Sequence, residues 1–342
     1  MTAGRVAARI VLPLIGAAIG IVLLFLLYGD LDLDRLLDAL TSARPVWLAV
    51  LAAAILGEQL LRAWKWRQIL FDRKPVTVRR LFGSIMAGYA AGVLVPLGIS
   101  PLVRSWLVAR LEGISVACVL VTAMIERFVD GVVFALFAFM AASVAPAAVD
   151  GLGRGLALAG GINLVVFGGI LWLLFQSRDP LGRGASWPSR VLDAIAARGG
   201  KPLAELRAGL REGIVWPRSA LRQIGIVALS TAMKFVAASH LIWAGLALGI
   251  GLSLMDGILV MVIAGIAMIL GRLIRVPGGF VIGAGFALHS IGTPDAAALA
   301  MILLVSVFSI VLTLTVGFGF LSRTGLDLRA AARETAPRGL ET

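Results

Sequence analysis

A compact group of ionisable residues interrupts an apolar stretch of the chain. Glu126, Arg127 and Asp130 lie within residues 115–144, where almost every other side chain is apolar or small. Glu126 and Asp130 share one face of a helix, whereas Arg127 lies about 100° round it. An ionisable side chain at the centre of a bilayer costs about 2.5–3.5 kcal/mol on insertion scales, so it needs a partner or a function. The group is either a set of ion pairs that joins helices or part of a polar cavity that meets a lipid headgroup.

Arginines accompany two segments that are rich in glycine and proline. Arg104 follows the break around Pro96, and Arg272 and Arg275 precede the second break. That second break contains Pro277, Gly278 and Gly279. Broken helices leave backbone amides that suit anions, and a planar guanidinium binds two phosphate oxygens at once. We expect these residues to bind the substrate headgroup; snorkelling to the membrane surface is the alternative.

Further ionisable residues lie inside apolar runs and are candidates for ion pairing or proton coupling. The candidates are Glu58, Lys234, Glu126 and Asp130. Glu58 and Arg62 are spaced to pair within one helix. Lys234 could complete an ion pair with Glu126 or Asp130, although ordinary packing is the favoured interpretation for Lys234.

Cysteine and histidine usage excludes several kinds of site. Cys118 is the single cysteine, so a disulfide framework and a thiolate metal cluster are excluded. His240 and His289 lack the spacing of a zinc site, and ordinary packing is favoured for His240. We expect no metal and no cofactor. Motifs for serine hydrolysis or nucleotide binding do not occur in the sequence either, so enzyme activity is not indicated.

Composition points to a membrane protein. Of the 342 residues 60% are hydrophobic and 15% are charged, and the mean hydropathy is +0.98. Soluble domains are about 45–50% apolar and about 25% charged. Only helices or closed barrels can cross a bilayer, and the apolar runs are too long for barrel strands. The predicted fold is an all-α polytopic helical bundle.

The apolar runs predict a single transmembrane domain over residues 1–342. Continuous spans are predicted at residues 10–28, 46–66, 115–144, 154–175, 223–250, 256–271 and 296–321. Residues 81–110 and 272–291 are predicted to be broken or re-entrant, and residues 177–222 form a cytoplasmic loop. Paired broken segments are typical of a transporter binding site, and they suggest an internal repeat.

Charge distribution indicates topology rather than nucleic-acid binding. The net charge is +12, and basic residues gather at the ends of apolar runs, as the positive-inside rule describes. A composition rich in Ala, Gly, Arg and Leu is typical of high-GC bacteria. We therefore expect a multi-pass protein of the bacterial cytoplasmic (inner) membrane with both termini in the cytoplasm. Its expected partners are membrane lipids with an anionic headgroup, with a second copy or envelope-biosynthesis proteins as further options.

Four stretches together resemble the lysylphosphatidylglycerol synthase transmembrane family. They are residues 62–67, residues 96–104, Glu126–Arg127–Phe128–Val129–Asp130 and Pro277–Gly278–Gly279. The resemblance covers about residues 46–321. It implies translocation of a lipid between leaflets by a stand-alone, flippase-type member that lacks the synthase domain.

The resemblance also shows two departures. The family commonly carries an acidic residue in the first break, where this chain has Ser100–Pro101 before Arg104. The family often has a glutamate after Pro-Gly-Gly, where residues 280–285 contain no acid. Either this chain handles a lipid without a cationic headgroup, or its mechanism differs.

Three functions remain open from the sequence. The leading one is a flippase or lipid transporter for a phospholipid, glycolipid or hopanoid-type lipid. It would be passive or driven by an ion gradient, because no nucleotide-binding motif is present. The others are an integral-membrane lipid-modifying enzyme and a non-transporting accessory subunit of an envelope lipid pathway.

Overall fold

The structure is a computed structural model that describes most of the chain. The described residues are 38, 40–94, 99–147, 149–176, 214, 216–217, 219–273 and 278–324. The span predicted at residues 10–28 and most of the loop at residues 177–222 lie outside them. So do Pro96, Arg275, Pro277 and the side chain of Arg272.

The described residues form α-helices joined by short connections. The helices are α1 Pro45–Leu70, α2 Val78–Leu94, α3 Ser100–Glu112, α4 Val116–Ser143, α5 Leu152–Gln176, α6 Ala220–Ala247, α7 Leu254–Leu273, α8 Gly279–Ser290 and α9 Asp295–Thr324. The prediction of an all-α polytopic membrane bundle is confirmed.

Five of the described helices are long and apolar enough to cross a bilayer. They are α1, α5, α6, α7 and α9. Helix α4 has 28 residues and is long enough as well, but Glu126, Arg127 and Asp130 interrupt its apolar sequence. At about 1.5 Å per residue, α2, α3 and α8 are each shorter than the hydrocarbon core of about 30 Å.

Helices α2 and α3 form an antiparallel hairpin around the first break. A Cβ atom added to Gly88 of α2 would lie 2.8 Å from the Cβ of Arg104 and 2.9 Å from the carbonyl oxygen of Ser100. At the opposite end of the hairpin, Arg80 of α2 forms an ion pair of 2.8 Å with Glu112 of α3. The start of α2 and the end of α3 therefore lie next to each other.

Helices α7 and α8 form a second hairpin with the same packing. A Cβ added to Gly283 would lie 2.6 Å from the Cβ of Ala267, and one added to Gly279 would lie 2.5 Å from the carbonyl oxygen of Ala267. In the first hairpin Gly88 contacts Ser100 and Arg104. In the second, Ala267 contacts Gly279 and Gly283, which follow it by the same numbers of residues. The turn after each hairpin ends in a left-handed glycine, Gly113 with φ 66° and Gly292 with φ 83°.

The order of the described helices repeats. A long helix, a hairpin and a second long helix occur in α1 to α4, and again in α6 to α9. The matching contacts of the two hairpins support the internal repeat that the paired Gly/Pro segments suggested.

The chain divides into two compact units. Unit 1 comprises Met1–Leu61, Phe128–Gly169 and Val227–Ser309, and unit 2 comprises Arg62–Arg127, Ile170–Ile226 and Ile310–Thr342. The α7–α8 hairpin belongs to unit 1, where Phe137 packs edge-on against Phe235. The α2–α3 hairpin belongs to unit 2, where the ring of Phe320 fills the space over Gly83.

We predict that alanine at Gly88 or at Gly283 lowers the thermal stability of the detergent-solubilised protein. The added methyl group would press on the facing helix, and overpacking costs about 1–3 kcal/mol, more than the gain of about 1 kcal/mol in helix propensity. Gly161 of α5 is the matched control, because a Cβ there meets no atom within 4 Å. A Gly88→Ala protein with the melting temperature of Gly161→Ala would contradict the close packing of the hairpin.

Candidate functional site

Helices α1 and α4 are fixed against each other within unit 2 by a buried hydrogen bond. The indole Nε1 of Trp66 donates to Oγ1 of Thr122 over 3.1 Å, and that hydroxyl donates to the carbonyl oxygen of Val119 over 2.7 Å. Trp66 and Thr122 are both fully buried. This contact sets the register in which the basic side chains of α1 meet the acidic side chain of α4.

Three cationic side chains converge on the carboxylate of Glu126. Arg62 and Lys65 of α1 lie 3.5 and 3.3 Å from Oε1, and Arg104 of α3 lies 3.1 Å from Oε2. The side chains of Lys65, Arg104 and Glu126 are fully buried, and that of Arg62 is 13% exposed. We call Arg62, Lys65, Arg104 and Glu126 the buried charge cluster.

Arg104 is held by three kinds of contact and still has donors to spare. Its guanidinium lies 4.9 Å from the ring centroid of Trp66, which is the geometry of a cation–π contact. Its Nη2 donates to the carbonyl oxygen of Ala123 over 3.4 Å and faces Glu126. Among the residues that the structure describes, Nε and Nη1 of Arg104 have no hydrogen-bond partner. A buried guanidinium with two unsatisfied donors favours an additional acceptor at this place.

Arg127 lies beside the buried charge cluster but is exposed on α4. Arg62, Arg104 and Glu126 are close enough to act on it electrostatically. A guanidinium inside a membrane-embedded helix does not face hydrocarbon without a large cost, and such residues generally line an aqueous cavity. Arg127 therefore needs water or a polar partner on this side of unit 2.

Asp130 lies one helical turn after Glu126 but belongs to unit 1. Its Oδ1 accepts a hydrogen bond of 2.9 Å from Oγ of Ser230 on α6. Lys234 follows on the same face of α6, and its Nζ lies 5.3 Å from the ring centroid of Phe134. The two carboxylates that share a face of α4 thus have different surroundings.

Glu58 of α1 faces His240 of α6 within unit 1. Oε2 of Glu58 lies 3.8 Å from Nε2 of His240, and the side chains are 14% and 12% exposed. Gly278, also in unit 1, adopts φ 83° and caps the start of α8, and Gly279 lies against the backbone of α7. Of the residues predicted to bind substrate at the second break, the structure therefore describes Gly278, Gly279 and the backbone of Arg272.

Sequence reasoning did not single out Lys65, and it favoured ordinary packing for His240. Lys65 lies at the basic end of the span predicted at residues 46–66, where long side chains commonly snorkel, yet it is fully buried on Glu126. The spacing of Glu58, Arg62 and Lys65 places all three on one helix face, and this pattern could have revealed Lys65. An imidazole inside an apolar span was the corresponding signal for His240.

Comparison with known families supplies the identification. The family described as "Lysylphosphatidylglycerol synthase TM region" matches residues 14–317. The chain belongs to this family. The match confirms the resemblance seen in the sequence and assigns the protein a lipid-related function in a membrane. A comparison with curated protein sequences finds no match.

The positions that depart from the common family pattern lie on the two hairpins. Ser100 and Pro101, in place of the acidic residue, form the first turn of α3 and so begin the helix that carries Arg104. Helix α8, which follows Pro-Gly-Gly, carries no acidic residue. In this member of the lysylphosphatidylglycerol synthase transmembrane family, the first hairpin thus carries the buried Arg104 without that acid.

We predict that Glu126→Gln destabilises the protein by about 3–5 kcal/mol, because buried Lys65 and Arg104 would face a neutral amide. Denaturant unfolding in detergent, followed by tryptophan fluorescence, measures the loss. Asp295→Asn is the control. Asp295 and its partner His289 are 54% and 72% exposed, and exposed pairs contribute about 0–1 kcal/mol. Equal stability of the two variants would show that the buried charge cluster does not join its helices.

Proposed function

We propose that this protein moves a lipid with an anionic headgroup across the bilayer. The observation that carries the proposal is Arg104, a fully buried guanidinium in a membrane protein with two donors that no described residue accepts. A phosphate offers the acceptor oxygens that a guanidinium binds two at a time. The lipid-related function of the family supports the same choice of ligand.

Glu126 gives the proposed site a resting state. While no headgroup is bound, the carboxylate neutralises the positive charges of Lys65 and Arg104. Unpaired, these charges would be costly inside the membrane. A phosphate that enters beside Arg104 would share those cations with Glu126. Binding is then an exchange between two anions, so the headgroup can also leave again.

Arg127 and Arg62 give the headgroup a path to Arg104. Arg127 is exposed, Arg62 is slightly exposed, and Arg104 is fully buried, so the three arginines form a series of increasing burial. Positive groups placed in series attract an anion and offer successive binding sites. A headgroup that passes along them stays neutralised while its acyl chains remain in the hydrocarbon.

The basic surface near the α1–α2 connection supports a cytoplasmic position for that end of unit 2. Arg73, Arg79 and Arg80 are exposed there, and cytoplasmic loops carry an excess of Lys and Arg. We place the protein in a bacterial cytoplasmic membrane with both termini in the cytoplasm. Since the sequence contains no nucleotide-binding motif, transport would be passive or driven by an ion gradient.

The test is lipid translocation in proteoliposomes with headgroup-labelled anionic, zwitterionic and neutral lipids. We expect wild type to move the anionic class. Arg104→Gln and Arg127→Gln should each slow this movement at least about tenfold, because hydrogen bonds to charged groups contribute about 1.5–3 kcal/mol. Arg127 is more exposed than Arg104, so we expect its substitution to disturb the packing of the helices less.

Arg154→Gln is the control for this experiment, since Arg154 is an exposed arginine in the first turns of α5. Gel filtration and the melting temperature show that each variant is folded. Folded wild-type protein that moves no lipid would contradict lipid transport. Movement of all three lipid classes at one rate would contradict selection by an anionic headgroup.

A further inference from the structure

A second pair of ionisable side chains lies inside the apolar helices of unit 1, apart from the buried charge cluster. Glu58 and His240 approach to 3.8 Å, which is within ion-pair range but too long for a direct hydrogen bond. Nε2 of His240 is buried and has no hydrogen-bond partner among the described residues. Intramembrane pairs of this type are expensive and commonly serve as proton relays.

The helices that carry this pair are firmly packed around it. The indole rings of Trp47 on α1 and Trp243 on α6 stack with centroids 5.7 Å apart, and Nε1 of Trp243 donates to Oγ of Ser239 over 2.9 Å. A Cβ added to Gly257 of α7 would lie 2.6 Å from the carbonyl oxygen of Ala238. The pair therefore lies between α1 and α6 at a place where α7 also contacts α6.

Glu58 is the charged group that acts on the imidazole among the described residues. Other ionisable groups on the neighbouring helices have contacts of their own. They are Asp130 of α4 with Ser230, Lys234 of α6 over Phe134, Asp256 of α7 with Ser253, and Asp295 of α9 with His289. Glu58 is thus the charged side chain that bears on the protonation of His240.

We propose that Glu58 and His240 form a proton-binding site that couples lipid movement to a proton gradient. The proposal rests on the proposed transport function. A proton taken from water makes the pair neutral, either as imidazolium with carboxylate or as imidazole with carboxylic acid. Returning the proton to water leaves a neutral imidazole beside the carboxylate. The proton enters and leaves through water, so the exchange requires water to reach the pair.

The position of the pair in the repeat explains how a proton could affect transport. Helices α1 and α6 are the first helices of the two repeats, so Glu58 and His240 join corresponding elements. In the protonated pair the two side chains attract each other and draw α1 and α6 together. Loss of the proton weakens that attraction. A proton-dependent contact between corresponding helices can bias two arrangements of the repeats.

The chain contains two histidines, which makes the proton site directly measurable. Side-chain nitrogen NMR of histidine-labelled protein in nanodiscs, recorded between about pH 5 and 8, reports the protonation of each imidazole. We expect the His240 signal to change protonation state in this range, and the change to shift in Glu58→Gln. His289 is the internal control. It pairs with Asp295 over 2.9 Å at the exposed surface, and Glu58→Gln should leave its signal unchanged.

The transport experiment uses the same residues with an imposed pH gradient. We expect the gradient to accelerate lipid movement by wild type and by His289→Gln, and we expect His240→Gln and Glu58→Gln to lose this response. A His240 that keeps one protonation state, or whose titration ignores Glu58→Gln, would overturn the proton site. Wild type that moves lipid without any response to the gradient would overturn the coupling and leave lipid transport standing.

Discussion

The ion pairing of Glu126 is the interaction on which the rest of unit 2 depends. The carboxylate of Glu126 on α4 forms ion pairs with Arg62 and Lys65 on α1 and with Arg104 on α3. A single side chain thus joins three helices. In the low dielectric of a membrane interior such contacts are strong, and removing the shared acid leaves buried cations unpaired. The hydrogen bond of Trp66 and the close approach of the α2–α3 hairpin at Gly88 bring these side chains within range. The residues that join these helices are thus the ones proposed to bind the headgroup.

The two hairpins pack in the same way but carry different residues at corresponding positions. Each hairpin requires a small residue where its helices cross, but either helix can supply it. In the first hairpin Gly88 of α2 makes room for Arg104 of α3, whereas in the second Gly283 of α8 lies against Ala267 of α7. Gly283 therefore occupies the position that corresponds to Arg104. The repeated architecture carries a buried arginine in one hairpin and a glycine at the same place in the other.

The sequence predicted the helical architecture because long apolar runs and Gly/Pro breaks have direct physical meaning in a bilayer. It also singled out Arg104 and Glu126, since a charge within an apolar run requires an explanation. It did not predict that they meet, because the contact depends on how α3 packs against α4, and the residue pattern of neither helix specifies that packing. The sequence did not reveal the burial of Lys65, since snorkelling is the usual behaviour of a lysine among other basic residues. Ordinary packing was favoured for His240 because Glu58, its neighbour in space, lies far away along the chain.

The central claim is that the guanidinium of Arg104 contacts the phosphate of an anionic lipid. Solid-state NMR of arginine-¹⁵N-labelled protein in bilayers that contain an anionic phospholipid can detect guanidinium nitrogens close to ³¹P. The account predicts ¹⁵N–³¹P dipolar dephasing in wild type and a loss of part of this signal in Arg104→Lys, whose side chain contains no guanidinium. Dephasing that is identical in wild type and Arg104→Lys, with both proteins folded, would contradict the claim.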